Sequence, residues 1–134
     1  ETVYLPSITH IIVPKTLWGE KAREKAEQAV TAWENQITEE AFGILLFDAT
    51  EMTLEPLVCV KNASLVWERG CGSGTTALGA ALAAKKQSSL SLGLKQPGGV
   101  MHIDANWKDG CLHSLTLTVH VKIVAAGTAY LESF

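Results

Sequence analysis

The run TTALGAALAAKK, residues 75–86, decides the fold. Residues 77–84 leave no polar face, and a helix that is apolar all round is buried all round. Its small side chains let neighbouring backbones come close, while Lys85 and Lys86 lie where they oppose the negative end of the helix dipole. The run therefore predicts a central helix wrapped by a sheet, with its N-terminus forming the floor of a site.

The segments on either side of this run predict the sheet. Before it we expect strands at residues 3–13, ending at Pro14, and at 41–47, then a hairpin of strands 57–60 and 64–67. After it the pattern is β throughout, with strands at residues 89–95, 100–107 and 112–124 joined by turns at 97–99 and 108–110. Residues 18–37 repeat apolar side chains at three- and four-residue steps, which indicates an amphipathic surface helix. Its charged residues are interpreted as a solvated face (Glu20, Arg23, Glu24 and Glu27).

This order of elements predicts an α+β fold. The sheet should be mixed but mostly antiparallel, wrapped around the central buried helix, with the amphipathic helix lying on its outer surface. We expect residues 1–134 to form a single domain, because this length suffices for one hydrophobic core.

Composition excludes several classes of function. The net charge of −3, with no basic stripe, argues against a nucleic-acid partner. No apolar run reaches membrane-spanning length and no signal-peptide pattern opens the chain, so we expect no membrane association and take the cytoplasm as the default location. Three cysteines without a CxxC pair fit no disulfide framework, and the four histidines lack metal-ligand spacing, so no metal is expected.

The run WERGCGSGTTA, residues 67–77, carries the candidate chemistry. Cys71 stands between glycines where a strand gives way to the buried helix, close to free amides and to the positive end of the helix dipole, which favour thiolate. Glu68, three residues earlier, is near enough to be a proton partner. The alternative is that Cys71 is a small buried hydrophobic residue, as most free cysteines are. The flanking glycines argue against that alternative, because they admit a ligand close to the backbone.

These motifs resemble the C-terminal lobe of diaminopimelate epimerase and its racemase relatives. The resemblance rests on the Glu-Arg-Gly and Cys-Gly-Ser-Gly-Thr motifs, with softer matches at the buried helix, at QPGG (96–99) and at SITH (7–10). It implies a diaminopimelate epimerase-like lobe and a racemase without cofactor, in which each of two similar lobes supplies one cysteine to the substrate Cα. This chain would then need an amino-terminal lobe carrying the second cysteine, and a homodimer is one assembly it could form.

The resemblance also assigns roles. Cys71 would be the acid/base of this lobe, Glu68 would tune or relay its proton, and His10 would polarise the other lobe's cysteine. The substrate α-carboxylate would be held by four backbone amides (Gly72, Ser73, Gly74 and Thr75). Two roles stay open: His10 could be an ordinary strand-end imidazole, and Arg69 could hold a substrate carboxylate or pair with an acidic group.

Departures from the epimerase pattern bear on the substrate. Only Gly70 separates Arg69 from Cys71, whereas the epimerase has a longer segment there. Ile8 replaces an asparagine of the family, and Gly43 stands near the position where a second family asparagine is expected. Because those asparagines recognise the distal end of diaminopimelate, another amino acid is the expected substrate, and histidine racemases are the relatives we name. The alternatives are diaminopimelate epimerase itself, a related isomerase or dehydratase, and a non-catalytic small-molecule or subunit-binding domain.

Overall fold

The computed structural model describes residues 1–132; the last two residues of the predicted 1–134 domain lie outside them. The fold is α+β, as predicted. Its strands are β1 Thr2–Leu5, β2 Ile8–Pro14, β3 Ala41–Asp48, β4 Thr53–Val60, β5 Ser64–Trp67, β6 Leu90–Gln96, β7 Gly99–Lys108 and β8 Cys111–Val119. Its helices are α1 Lys15–Trp18, α2 Ala22–Trp33 and α3 Gly72–Lys86, with a 3-10 turn at Gly19–Lys21.

The strands form one mixed sheet that curls around α3. Its order is β1-β2-β3-β4-β6-β7-β8, with β5 paired to β4. The β2–β3 and β4–β6 pairs are parallel and the other pairs are antiparallel. Because α3 contacts both edge strands, β1 and β8, as well as β2, β6 and β7, the sheet must wrap around the helix.

Two apolar cores lie on opposite faces of this sheet. The inner core packs α3 against the strands and is built around Leu45, Leu54, Leu78, Leu94 and Ile103. The outer core packs α2 against the other face, where alternate residues of β3 meet the small side chains of the helix (Phe42, Ile44, Leu46, Ala22, Ala26 and Val30). Since β3 is apolar on both faces, it reads as a continuous hydrophobic run in the sequence.

The charged face of α2 does more than meet solvent. The guanidinium of Arg23 lies 4.2 Å from the centre of the Trp67 ring and 3.5 Å from a carboxylate oxygen of Glu55. Glu27 accepts a 2.7 Å hydrogen bond from the indole of Trp67. Arg23 and Glu27 are exposed, as the interpretation of a solvated face predicts, and both in addition contact Trp67 at the end of β5.

Three predicted boundaries were wrong, each for a local reason. Residues 3–13 are not one strand, because Pro6 and Ser7 turn the chain, with Ser7 at φ 68°. The predicted helix over 18–37 starts later and ends earlier, as Gly19 at φ 66° breaks it after α1. β8 stops at Val119 rather than at residue 124. Val119 pairs with Met101, and the partner strand β7 begins at Gly99, so β7 has almost no residues left to pair with a longer β8.

None of the helices described in residues 1–132 combines the length and the apolar character that crossing a bilayer requires.

Candidate active site

Cys71 lies where β5 ends and α3 begins. It is the N-cap residue of the helix, in extended conformation, and its Sγ accepts a hydrogen bond from the Gly74 amide at 3.4 Å. Cysteine thus takes the capping role usually filled by Ser, Thr, Asp or Asn. The Ser73 hydroxyl lies 3.5 Å from the same sulfur. The predicted position of the thiol at the start of the buried helix is confirmed.

The protonation of Cys71 differs from the expectation. The pKa of the thiol is raised from 9.0 to about 11; burial is the largest cause and Glu68 adds to the rise, while hydrogen bonds from Ser73 and Gly74 oppose it. Cys71 is 4% exposed, so its thiol lies within the packed interior and not in open solvent. The prediction that helix dipole and amides would favour thiolate was therefore wrong in its net outcome, because desolvation of the charged form outweighs both.

The predicted four-amide carboxylate site is partly occupied by the protein itself. The Gly74 amide donates to Cys71 Sγ, and the Thr75 amide donates to the Cys71 carbonyl at 3.0 Å as the first bond of α3. The amides of Gly72 and Ser73 precede that first intrahelical bond, so the helix itself provides no acceptor for them. Thr75 is fully buried, and its hydroxyl donates to the Cys71 carbonyl at 2.7 Å.

His10 is brought to the same site from β2. Its ring is 0% exposed, and Nε2 lies 2.9 Å from Ser73 Oγ. Nδ1 has no hydrogen-bond partner among the described residues. Burial lowers the pKa of His10 to about 4, so the imidazole is neutral near pH 7. The structure connects His10 to Cys71 through Ser73, a contact that the sequence did not suggest.

Gln96 completes the site and was missed by the sequence analysis. Its side chain is buried at the end of β6; Oε1 accepts from the Cys71 amide at 2.8 Å and Nε2 donates to Thr75 Oγ1 at 2.6 Å. The amide side chain thereby fixes the backbone that carries the thiol. The signal that could have found it is a polar residue at a strand end, immediately before the Pro97-Gly98 turn.

Arg69 is exposed and lines a cavity of about 380 Å³ whose lining does not include Cys71 itself. The cavity is also lined by Gly70, Gln96, Gly98, Met101 and His120. Gly98 is needed there, because a Cβ at this position would lie 2.9 Å from the Arg69 carbonyl oxygen. Within residues 1–132 no three His, Cys, Asp or Glu side chains are gathered closely enough to hold a metal ion.

Comparison with known proteins identifies relatives of one kind. A histidine racemase of Staphylococcus aureus is 30% identical over 92 residues, which cover 67% of this chain and 34% of that protein. A histidine racemase of Fusobacterium nucleatum is 37% identical over 97 residues, or 68% of this chain and 32% of that protein. The chain thus spans about a third of the length of the curated relatives that it matches.

The matching family model covers residues 1–130 and is described as the N-terminal domain of the histidine racemase CntK. The motifs quoted above resemble instead a C-terminal lobe, and that position within the whole enzyme stays a prediction. The family model and the quoted motifs both indicate an amino-acid racemase, and each describes one portion of a longer protein. The chain belongs to the histidine racemase family represented by this domain.

Proposed function

We propose that this chain is one lobe of a cofactor-independent histidine racemase in which Cys71 exchanges the α-proton of the bound amino acid. The observation that carries the proposal is the thiol at the N-cap of α3, with the Gly74 amide on its sulfur and the Ser73 hydroxyl 3.5 Å from the same sulfur. Histidine is proposed as substrate because the relatives are described as histidine racemases.

The substrate carboxylate is proposed to bind the amides of Gly72 and Ser73. These amides stand at the positive end of α3, where an anion is stabilised. Removing the α-proton moves charge into the carboxylate, which becomes enediolate-like, and fixed amide donors stabilise that charge without reorganising. Arg69, which lines a cavity together with Gly70 and Gln96, is proposed as a second group that attracts the carboxylate.

Cys71 is proposed to act as the proton donor in one direction. With a pKa of about 11 it holds its proton near pH 7. The thiolate of the other lobe removes the α-proton from one face, leaving the electron pair on the enediolate, and the S–H bond of Cys71 breaks to protonate Cα on the opposite face. In the reverse direction Cys71 is the base, and its thiolate is held by the Gly74 amide.

Glu68 is proposed to carry the proton that Cys71 exchanges. Its backbone is fixed at the end of β5 by a 2.9 Å hydrogen bond from its amide to the Pro56 carbonyl, and its carboxylate raises the pKa of the thiol. The ionised carboxylate favours the protonated thiol, and once Glu68 has taken a proton from water it can pass that proton to the Cys71 thiolate.

The test is racemisation by the intact protein in deuterated water. We expect L-histidine to gain deuterium at Cα, followed by NMR, and to yield D-histidine, followed by chiral chromatography. Cys71→Ser should abolish racemisation, whereas Cys111→Ser, at an exposed cysteine beside the β7–β8 turn, should leave it unchanged. Treatment with hydroxylamine, which traps carbonyl cofactors, should have no effect.

Other outcomes decide against the proposal. Full activity of Cys71→Ser would remove the thiol from the mechanism. Turnover of diaminopimelate but not of histidine would assign the epimerase activity instead. Histidine binding without deuterium incorporation would assign a binding domain, and alkylation of Cys71 with an ordinary thiol pKa and no protection by amino acids would agree with that result.

A further inference from the structure

We infer that His10 acts on Cys71 through Ser73: the Nε2–H of His10 donates to Ser73 Oγ, and the Ser73 hydroxyl donates to Cys71 Sγ. His10 and Ser73 are then positioning residues for this lobe's own thiol, not for the thiol of another lobe. The inference rests on the proposed function only in that Cys71 is the group whose protonation matters.

The contacts form a continuous chain. His10 Nε2 lies 2.9 Å from Ser73 Oγ, and Ser73 Oγ lies 3.5 Å from Cys71 Sγ. The second distance is ordinary for sulfur, whose radius exceeds that of oxygen, and the Gly74 amide meets the same sulfur at 3.4 Å. Two donors from the first turn of α3 therefore converge on one atom.

The direction of these hydrogen bonds follows from the buried ring. His10 is neutral, so one ring nitrogen carries a hydrogen and the other a lone pair. Nδ1 is buried and has no partner among residues 1–132. A buried N–H without an acceptor is costly, whereas an unpaired lone pair is tolerated more often. The hydrogen is therefore on Nε2, and Ser73 must be its acceptor.

This tautomer determines what Ser73 can do. Once Ser73 Oγ accepts from His10, its own hydrogen is free to point at Cys71 Sγ, where it stabilises a thiolate. Glu68 acts in the opposite sense, because its carboxylate raises the pKa of the thiol and disfavours a second negative charge. The amide of Gln96 contacts the Cys71 backbone rather than the sulfur. The Ser73 hydroxyl and the Gly74 amide thus favour the ionised form of the sulfur, and the Glu68 carboxylate favours its protonated form.

The first test needs no variant. Long-range 15N–1H NMR of the intact protein distinguishes the two neutral imidazole tautomers. We expect His10 to carry its hydrogen on Nε2 throughout the neutral pH range. A hydrogen on Nδ1 would overturn the inference, whatever the enzyme's activity.

The second test measures thiolate content by the rate of Cys71 alkylation with iodoacetamide at pH 8. Peptide mass spectrometry separates Cys71 from Cys59 and Cys111. Ser73→Ala should slow alkylation about tenfold, the equivalent of a rise of about one pKa unit. The smaller side chain would widen access and speed the reaction, so steric relief cannot imitate this result. Ser73→Thr, which keeps the hydroxyl, should react at nearly the original rate.

A double-mutant cycle tests whether His10 acts through Ser73. His10→Phe keeps a flat ring but removes the donor, and we expect it to slow alkylation a few-fold in the original background and not at all beside Ser73→Ala. An equal effect in both backgrounds, or none in either, would overturn the inference. If His10→Phe does not fold, His10→Gln keeps an N–H donor: alkylation close to the original rate supports the chain, and slowing as large as with Ser73→Ala contradicts it. Neither readout involves turnover, so a failure of the racemase proposal leaves these results separately interpretable.

Discussion

Gly43→Ala is the substitution that tests how the histidine is held. In the parallel β2–β3 pair Gly43 lies beside His10. A Cβ at Gly43 would lie 2.4 Å from His10 Nδ1 and 2.8 Å from Cε1. Ordinary non-bonded contacts are about 3.5–4.0 Å, so the ring would have to move by roughly an ångström.

The expected destabilisation combines two effects. His10 is 0% exposed, so the ring has no open space to move into; forcing an extra methyl group into such packing costs about 1–3 kcal/mol. Withdrawal of the ring also breaks the 2.9 Å contact with Ser73, worth about 1 kcal/mol. We therefore expect the free energy of unfolding to fall by about 2–4 kcal/mol. With a urea dependence of about 2 kcal/mol/M, the middle of the usual range, the midpoint of unfolding falls by roughly 1–2 M.

The assay pairs urea unfolding of the intact protein with NMR of the His10 ring. Gly79→Ala is the matched control, because its Cβ would lie 2.5 Å from Ile103 Cγ1, in the inner core away from the histidine. The control should lose less stability, since alanine is favoured over glycine inside a helix by about 1 kcal/mol, and its His10 signals should not change. An unchanged midpoint with unchanged His10 signals in Gly43→Ala would refute the reasoning. A shift of the His10 signals in Gly79→Ala would show that they report general loosening of the core.

Three further predictions concern pH and the buried amide. The pKa of His10 is about 4 in the folded state and 6.5 in the unfolded state. The free energy of unfolding should therefore fall by at most roughly 3 kcal/mol as pH falls from about 6.5 toward 4. In urea titrations His10→Phe should lack this pH-dependent fall. Folding raises the pKa of Cys71 from 9.0 to about 11. The free energy of unfolding should therefore fall by at most roughly 3 kcal/mol as pH rises from 9.0 to about 11. Cys71→Ser should not show this fall. Gln96→Leu leaves the Cys71 amide buried without its acceptor, so the free energy of unfolding should fall by about 1–3 kcal/mol. A variant as stable in urea as the original protein would contradict this prediction.

The fold was largely predictable because its strongest signals are local. α3 follows from an apolar run whose two lysines mark its end, and the β6–β7 and β7–β8 hairpins follow from turn residues. The start of α3 was harder to place, since two glycines in its first turn have poor helix propensity. The N-cap bond from Gly74 to Cys71, which pattern alone does not show, helps to hold that turn.

The contacts within the site were predictable only where its residues are neighbours in sequence. Glu68 and Cys71 follow from the spacing of one motif. His10 and Ser73 are 63 residues apart, and their contact depends on how β2 lies against the start of α3. Gln96 reaches the Cys71 backbone from 25 residues away, again through the curl of the sheet. Such contacts depend on register and sheet curvature, for which a single sequence carries no local signal.

The protonation of Cys71 shows why the motif alone predicted the wrong direction for the shift of the thiol pKa. Amide donors and a helix N-terminus stabilise a thiolate, but their effect is largest when the sulfur keeps some access to water or to a cation. Here Cys71 is 4% exposed and its acidic neighbour is Glu68, so burial and that carboxylate together outweigh the donors. In the proposed mechanism this is an advantage, because a thiol that keeps its proton at neutral pH is ready to give it to a carbanion. The donor pair of Ser73 and Gly74 then matters after the proton has left, when it holds the thiolate until a proton taken from water by Glu68 is passed to the sulfur.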